Sequence, residues 1–371
     1  MPSNPIVTIS LINYNGRKFV FDAIESAVNQ KYPNLEIIII DNASIDGTKE
    51  DIEKKISQWE EQRKQIKKNS SNSIEFKNIV YIKNIENAGF GKPHNQAIKI
   101  AKGDFVLLLN YDAILTQGYI ENVLKPFSDE KVGAVQGKLL RYDFEKNELY
   151  HKNEIPELNV IDTTGLMIHK NRRIVCIGQG QFDNGQFEKE IEVFGADGAV
   201  PVYRKLALED VKLPIFASKK EYEFEYFDEN FFMYKEDVDL AWRLQLYGWK
   251  TIYTPKAIAY HGRGSGDSMA DNYIDIIKER RKINNFAKYL SFKHQRLMQI
   301  KNDFPSLLFT KHFTRFIVKE VGAWIYMVIF ERFTFRILKD LYINIPIFLK
   351  KRKIVMSKRR VGAKEMEKWF N

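Results

Sequence analysis

Ile6–Ile12 reads IVTISLI and Leu35–Ile40 reads LEIIII, the second run ending on Asp41. Unbroken β-branched and aliphatic runs, without alternating polar residues, are the pattern of strands buried on both faces of a parallel sheet. Between them lie a polar turn, Asn13–Gly16, and Val20, Ile24, Ala27 and Val28 at helical spacing, after which Tyr32-Pro33-Asn34 turns the chain into the second run. The rhythm continues outward. Ile52, Ile56 and Trp59 mark a helix after Asp46-Gly47-Thr48, Ile79–Ile82 and Phe105–Leu109 read as a third and a fourth strand, and Ala97–Ala101 lies in a helix between them. Such alternation predicts a doubly wound α/β domain that binds its ligand at the carboxyl ends of the strands.

Beyond Asp112 the alternation weakens. Tyr119–Phe127 looks helical, Val132–Val135 looks like a strand and Tyr142–Pro156 is polar loop; Ile161–Ile168 and Ala199–Tyr203 read as strands. Asp237–Tyr247 is an amphipathic helix stopped by Gly248. Residues 57–78, a charged helix end followed by a Ser/Asn run, read as a surface extension, and from Asp271 onward the pattern is mostly helical and increasingly basic.

The 371 residues suffice for one large two-part enzyme, and the single cysteine, Cys176, excludes an internal disulfide framework and a multi-Cys zinc module. Charge is unevenly divided. Residues 305–371 hold 15 Lys/Arg against 5 Asp/Glu, an excess equal to the whole net charge of +10, so the preceding residues are formally neutral. A nucleic-acid-binding surface would spread its basic excess, whereas this tail is also rich in Phe, Ile, Leu and Trp, a combination that points to an anionic membrane surface and to no nucleic acid. The apolar runs Val321–Phe330 and Leu341–Leu349 fall short of the roughly 20 residues of a membrane span, and Met1–Ile6 lacks a secretory-signal pattern.

Four polar clusters sit where the proposed strands end: Asn13-Tyr14-Asn15, Asp41–Thr48 (DNASIDGT), Asn87-Ala88-Gly89-Phe90 with Asn95, and Asn110-Tyr111-Asp112. Asx-rich turns and helix caps would explain each alone. Their convergence on one sheet edge supplies what a nucleotide site requires: a carboxylate for base or ribose, small turns for close approach, and an acid for a metal at the phosphates. No G-x-G-x-x-G follows the first strand; Gly91-Lys92 lacks the first P-loop glycine and is followed by Pro93; H-E-x-x-H and G-x-S-x-G are absent.

The succession Y-N, D-N-x-S-x-D-G-T, N-x-G-F-G-x-x-N, N-x-D, then F-x-x-x-E-D-x-D-L-x-x-R and a late H-x-x-x-S resembles the inverting family-2 glycosyltransferases of GT-A fold, particularly their bacterial rhamnosyltransferase-like branch, over roughly residues 5–268. The resemblance implies a Rossmann-like, doubly wound mixed α/β sheet followed by a mostly helical basic region. It implies that Tyr14 stacks near the nucleobase, that Asp41 binds base or ribose with Asn42 and Ser44 shaping the pocket, and that Asn87, Gly89, Phe90, Asn95 and Asn110 border the donor. Asn110-Tyr111-Asp112 stands at the family's D-x-D position with the first Asp replaced, so Asp112, with His261, is the expected contact to Mg²⁺ or Mn²⁺.

An inverting transfer needs one carboxylate to take the proton from the acceptor hydroxyl, and Asp237 of Glu236-Asp237-Val238-Asp239 matches the family's base position. Glu236, Asp197 and Trp242 are the expected acceptor contacts, while Asp239 and Arg243 read as an i, i+4 pair on the same helix.

These readings divide the chain into a nucleotide-sugar-binding half (1–112), an acceptor-binding and catalytic half (113–268) and a basic amphipathic membrane-associating region (269–371). The expected protein lies in the cytoplasm on the inner face of the cell membrane. There it takes a dTDP-, UDP- or GDP-sugar, with rhamnose the sugar that the branch implies, to a glycan or lipid-linked acceptor; a homo-oligomer fits the tail as well. Two other classes compete. A catalytically silent scaffold would not need Asp112, Asp237 and His261 together, and a nucleotidyltransferase would carry a Gly-rich basic phosphate loop after the first strand.

Overall fold

The computed structural model describes residues 4–69, 78–146, 148–149, 159–216, 223–262, 273–331 and 335–371. Strands β1 (Val7–Asn13), β2 (Leu35–Asp41), β3 (Asn78–Lys83) and β4 (Phe105–Asn110) are separated by helices α1 (Val20–Val28), α2 (Thr48–Asn69) and α3 (Gly91–Ile100). All four strands are parallel. Every residue of β1 and β2 is buried, as strands covered on both faces demand. Ile9, Leu11, Ile37 and Ile39 pack with α1, whereas Ile38, Ile40, Val106 and Leu108 join a second core on the opposite face, the division that a two-residue side-chain period imposes.

The chain then adds β5 (Ala113–Leu115), α4 (Tyr119–Leu124), β6 (Val132–Asp143), β7 (Glu148–Leu149), β8 (Ile161–Thr163), β9 (Leu166–Ile168), β10 (Ile174–Cys176), β11 (Ile191–Val193), β12 (Pro201–Arg204), α5 (Lys205–Val211), β13 (Leu213–Pro214), β14 (Phe224–Glu225), α6 (Glu236–Leu246) and β15 (Lys250–His261). The main sheet runs β3-β2-β1-β4-β12-β6-β15-β11, with β12 antiparallel to both neighbours. It is a mixed sheet, as expected. Two expectations need correction. The Val132–Val135 strand continues to Asp143, and Ile161–Ile168 is two strands, because Gly165 (φ +127°) breaks the run and sends β9 into a hairpin with β10.

Helices α7 (Tyr273–Lys282), α8 (Asn285–Asn302), α9 (Phe313–Phe330), α10 (Arg336–Lys358) and α11 (Ala363–Met366) complete the described chain. Leu290, Leu297 and Met298 of α8 and Ile337, Phe348 and Val355 of α10 share one core with Leu240, Trp242 and Leu244 of α6. The helical region is therefore built onto α6, and its expected basic surface is partly interior. Lys351, from the cluster Lys350-Lys351-Arg352-Lys353, is 1% exposed and reaches Glu225 (2.6 Å), Asp228 and Asn230 (2.7 Å). Lys301 is fully buried between Asp228 and Asp239 (2.8 Å). Burial and the charge of Asp228 push Glu225 up to about 7, so Asp228, held low by the two lysines against burial, carries the countercharge. Among the described residues no helix is long and apolar enough to cross a membrane.

Candidate active site

The β1–β2 register sets Asn13 opposite Asp41 at the carboxyl ends of the strands. Asn13 Nδ2 donates to Asp41 Oδ2 (2.9 Å) and Ser44 Oγ (3.0 Å), and Ser44 N–H donates to Asp41 Oδ1 (2.8 Å), which closes the turn after β2 around the carboxylate. Tyr14 is 38% exposed at the same edge. Asn42 shapes the neighbouring loop: its Nδ2 donates to Asn87 Oδ1 and the Gly89 carbonyl (both 2.9 Å), and its Oδ1 accepts from Ala88 N–H (3.1 Å). Gly89 must be glycine. Its φ is +80° and a Cβ there would lie 1.9 Å from the Phe232 carbonyl oxygen, which accepts from Phe90 N–H at 2.8 Å.

Phe90 and Asn110 line a cavity of about 550 Å³ together with Asp197, Glu236, Asp237 and His261. Asp237 opens α6. Its Oδ1 accepts from Val238 N–H (2.7 Å) and its Oδ2 from Gly198 N–H (3.3 Å). Burial, then the charge of Asp197, outweigh these bonds and push its carboxyl up to about 6. Burial and Asp237 drive Glu236 well upward, and one of its oxygens, Oε2, is buried with no hydrogen-bond partner among the described residues. Asp197 accepts from Ala199 N–H (3.0 Å) and from the Cys176 thiol (3.3 Å).

His261 ends β15. Its Nδ1 is 2.8 Å from Asp162 Oδ2 and its Nε2 is 3.4 Å from Asp112 Oδ1. Burial disfavours its charge, but Asp112 and Asp162 outweigh that and push it up to about 10, so the ring is an imidazolium between two carboxylates. Among the described residues no three His, Cys, Asp or Glu side chains form a ready metal cage. Once Nε2 gives up its proton, His261 would fit a divalent ion together with Asp112, the donor phosphates and water supplying further ligands and Asp162 holding the ring so that Nε2 faces Asp112.

Two expected contacts are corrected. Asn95 is fully buried and donates from Nδ2 to the Phe227 carbonyl (2.8 Å) and Glu229 (3.0 Å), while its Oδ1 accepts from Tyr226 and Phe227 N–H (3.1 and 2.8 Å), so in this structure its side chain secures that loop. Trp242 is a core side chain edge-on to Phe194 and Phe370, because it lies on the inner face of α6. Asp239 and Arg243 pair at 3.0 Å, as read. Sequence reasoning placed Asn13 in a strand-end cluster and Asp162 in a matching segment without giving either a partner, and it assigned no role to Asn284, Ala287 and Ser291, which line the same cavity from the α8 end. The Ser265 of the late H-x-x-x-S lies outside the described residues.

A mixed sheet with polar groups at the ends of β1, β2 and β4, and a cavity shared by Asn110 of β4 and the raised Asp237 carboxyl, is the arrangement of a GT-A-type fold. A family model described as glycosyl transferase family 2 matches residues 8–211, and the chain belongs to that family. It is 26% identical over 328 residues to the poly-beta-1,6-N-acetyl-D-glucosamine synthase of Staphylococcus aureus (strain COL), covering 87% of this chain and 63% of that protein. It is 32% identical over 127 residues to the Escherichia coli UDP-Glc:alpha-D-GlcNAc-diphosphoundecaprenol beta-1,3-glucosyltransferase WfaP, covering 34% of this chain and 43% of that one. Among solved structures, GalNAc-T7 with UDP, GalNAc and Mn²⁺ shares the fold at a TM-score of 0.52 and 11% identity, over 81% of this chain and 52% of that one.

Proposed function

We propose that this chain is an inverting glycosyltransferase that moves a sugar from a nucleoside-diphosphate donor to a glycan or lipid-linked acceptor in the assembly of a bacterial surface polysaccharide. The observation that carries the reading is Asp237, a carboxylate raised to about 6 on the wall of the cavity shared with Asn110 and His261. Near neutral pH it is ionised yet basic enough to take the acceptor hydroxyl's proton as that oxygen attacks the anomeric carbon opposite the departing diphosphate. Glu236, whose carboxyl burial and Asp237 push well upward, offers its Oε2 to an acceptor hydroxyl. Asp41 and Tyr14 serve the nucleoside end of the donor, and Asn87, Gly89, Phe90 and Asn110 the diphosphate and sugar. Asp112 and His261 would hold Mg²⁺ or Mn²⁺, which when bound neutralises charge on the leaving diphosphate. Relatives named for glucose and N-acetylglucosamine transfer favour a UDP-hexose over the rhamnose of the expected branch.

The same reading seats the protein peripherally on the inner face of the cell membrane. Phe313, Val318, Val321, Ile325, Ile329 and Phe330 of α9 are 44–59% exposed, while the one carboxylate of α9, Glu320, turns inward to Arg296 (2.7 Å). Glu331 likewise turns to Arg280, and Arg315, Lys339, Lys350 and Lys353 face solvent. Acids turned in, with cations and apolar groups turned out, fit an anionic lipid surface. Incubating the purified chain with UDP-, dTDP- and GDP-sugars and Mn²⁺ tests the chemistry: hydrolysis or transfer is expected from one of them, and Asp237→Asn is expected to lower the rate by about 10²-fold or more with donor binding retained. A full rate from Asp237→Asn would remove the carboxylate from the base role.

A further inference from the structure

Three successive carbonyls immediately before the catalytic helix are held by groups from elsewhere in the chain. The Phe232 oxygen accepts from Phe90 N–H of the donor loop. The Met233 and Tyr234 oxygens both lie within reach of His294 Nδ1, at 2.9 and 3.0 Å. The next bend is strained: Tyr234 (φ +69°) and Lys235 (φ +79°) are consecutive non-glycine residues in the left-handed region, and Lys235 is the N-cap of α6. Such a pair persists only where neighbours over-determine it.

We propose that His294, on α8, is a positioning residue for the transfer: a single Nδ1–H shared between the Met233 and Tyr234 carbonyls holds the left-handed turn that aims Asp237 into the cavity. The ring is fully buried against Phe231 (4.9 Å between ring centroids). Its other nitrogen, Nε2, has no hydrogen-bond partner among the described residues, so the neutral Nδ1–H tautomer is the one that satisfies the site. Burial, aided by Lys293, drives the imidazole down to about 4, which keeps it neutral at the pH of catalysis. The bond also gives the helical region a part in the chemistry, because it crosses from α8 to the turn that carries the base.

This inference rests on Asp237 acting as the base, and its test separates the two. Asn and Gln at position 294 are compared: the Asn amide nitrogen occupies the place of Nδ1, whereas that of Gln reaches toward Nε2. His294→Asn is expected to keep kcat within a few fold, and His294→Gln and His294→Leu to lose about 10²-fold in kcat with little change in the affinity for donor nucleotide. Amide hydrogen exchange across 233–238, followed by mass spectrometry, is expected to accelerate in the Gln and Leu variants while exchange in β1 and β2 is unchanged, a readout that does not depend on activity. Equal rates and equal exchange for Asn and Gln would overturn the positioning role. An unaffected Asp237→Asn beside accelerated exchange in His294→Gln would overturn the base assignment and keep the clamp on the turn.

Discussion

Asp237 and Asp197 flank Gly198, whose N–H donates to Asp237 Oδ2 at 3.3 Å, and the charge of Asp197 joins burial in raising the Asp237 carboxyl to about 6. Asp197 is therefore the carboxylate whose charge contributes most to raising Asp237, the base of the proposed transfer. A base must be ionised to accept a proton, so kcat is expected to fall about tenfold per unit as pH drops below about 6 and to level off above it. Asp197→Asn removes the repulsion, so the acid limb is expected to move to lower pH. A rate profile flat between pH 5 and 7 would contradict this.

Metal removal is the second test. In excess EDTA the protein is expected to lose affinity for donor nucleotide, and Mn²⁺ titrated back by calorimetry is expected to restore it in the natural chain and much less in Asp112→Ala. Identical affinity with and without EDTA would mean that His261 and other fixed positive groups bind the diphosphate unaided.

The first four strands and their polar ends are legible in the sequence because parallel strands buried on both faces tolerate only continuous apolar runs, and because residues at matching strand ends are brought together by register alone. Asn13 opposite Asp41 is such a case. Asn95 and Trp242 are misread for one reason: residue type and spacing give the helix but not the direction of each side chain, and both point into the protein. The insertion of β12 between β4 and β6, the Asp162–His261 bond and the clamp from His294 depend on contacts between residues 60 or more apart, which no local pattern records.

The buried lysines give a stability prediction. Lys351→Met leaves Glu225 and Asp228 with one fewer counter-ion in a water-free site, and breaking such a pair from one side costs about 3–5 kcal/mol. Urea denaturation is expected to show that loss, whereas Lys350→Met, on the exposed side of the same helix turn, is expected to stay within about 0.5 kcal/mol. Equal stability of the two variants would mean that the Lys351 ammonium is not a required partner.

For the membrane face, Val321→Glu with Ile325→Glu places carboxylates on the exposed side of α9, where neither side chain supports the core. The double variant is expected to fold normally and to lose salt-sensitive binding to liposomes containing phosphatidylglycerol, with donor affinity unchanged. Unaltered liposome binding, or a change in oligomeric state instead, would assign the face to another partner.

The lysines that neutralise the core carboxylates arrive late. Lys301 and Lys351 lie 73 and 123 residues downstream of Asp228. At roughly 5–20 residues per second of translation, a growing chain waits on the order of 6–25 s between making Asp228 and making its second cation. Asp239 already has Arg243, but an ionised Asp228 is costly to bury without its lysines, so during that interval closure of the core around Asp228 is expected to be disfavoured. Protease sensitivity of arrested nascent chains reports the delay. Synthesis order is therefore expected to delay closure of the core around Asp228 until α8 and α10 have left the ribosome.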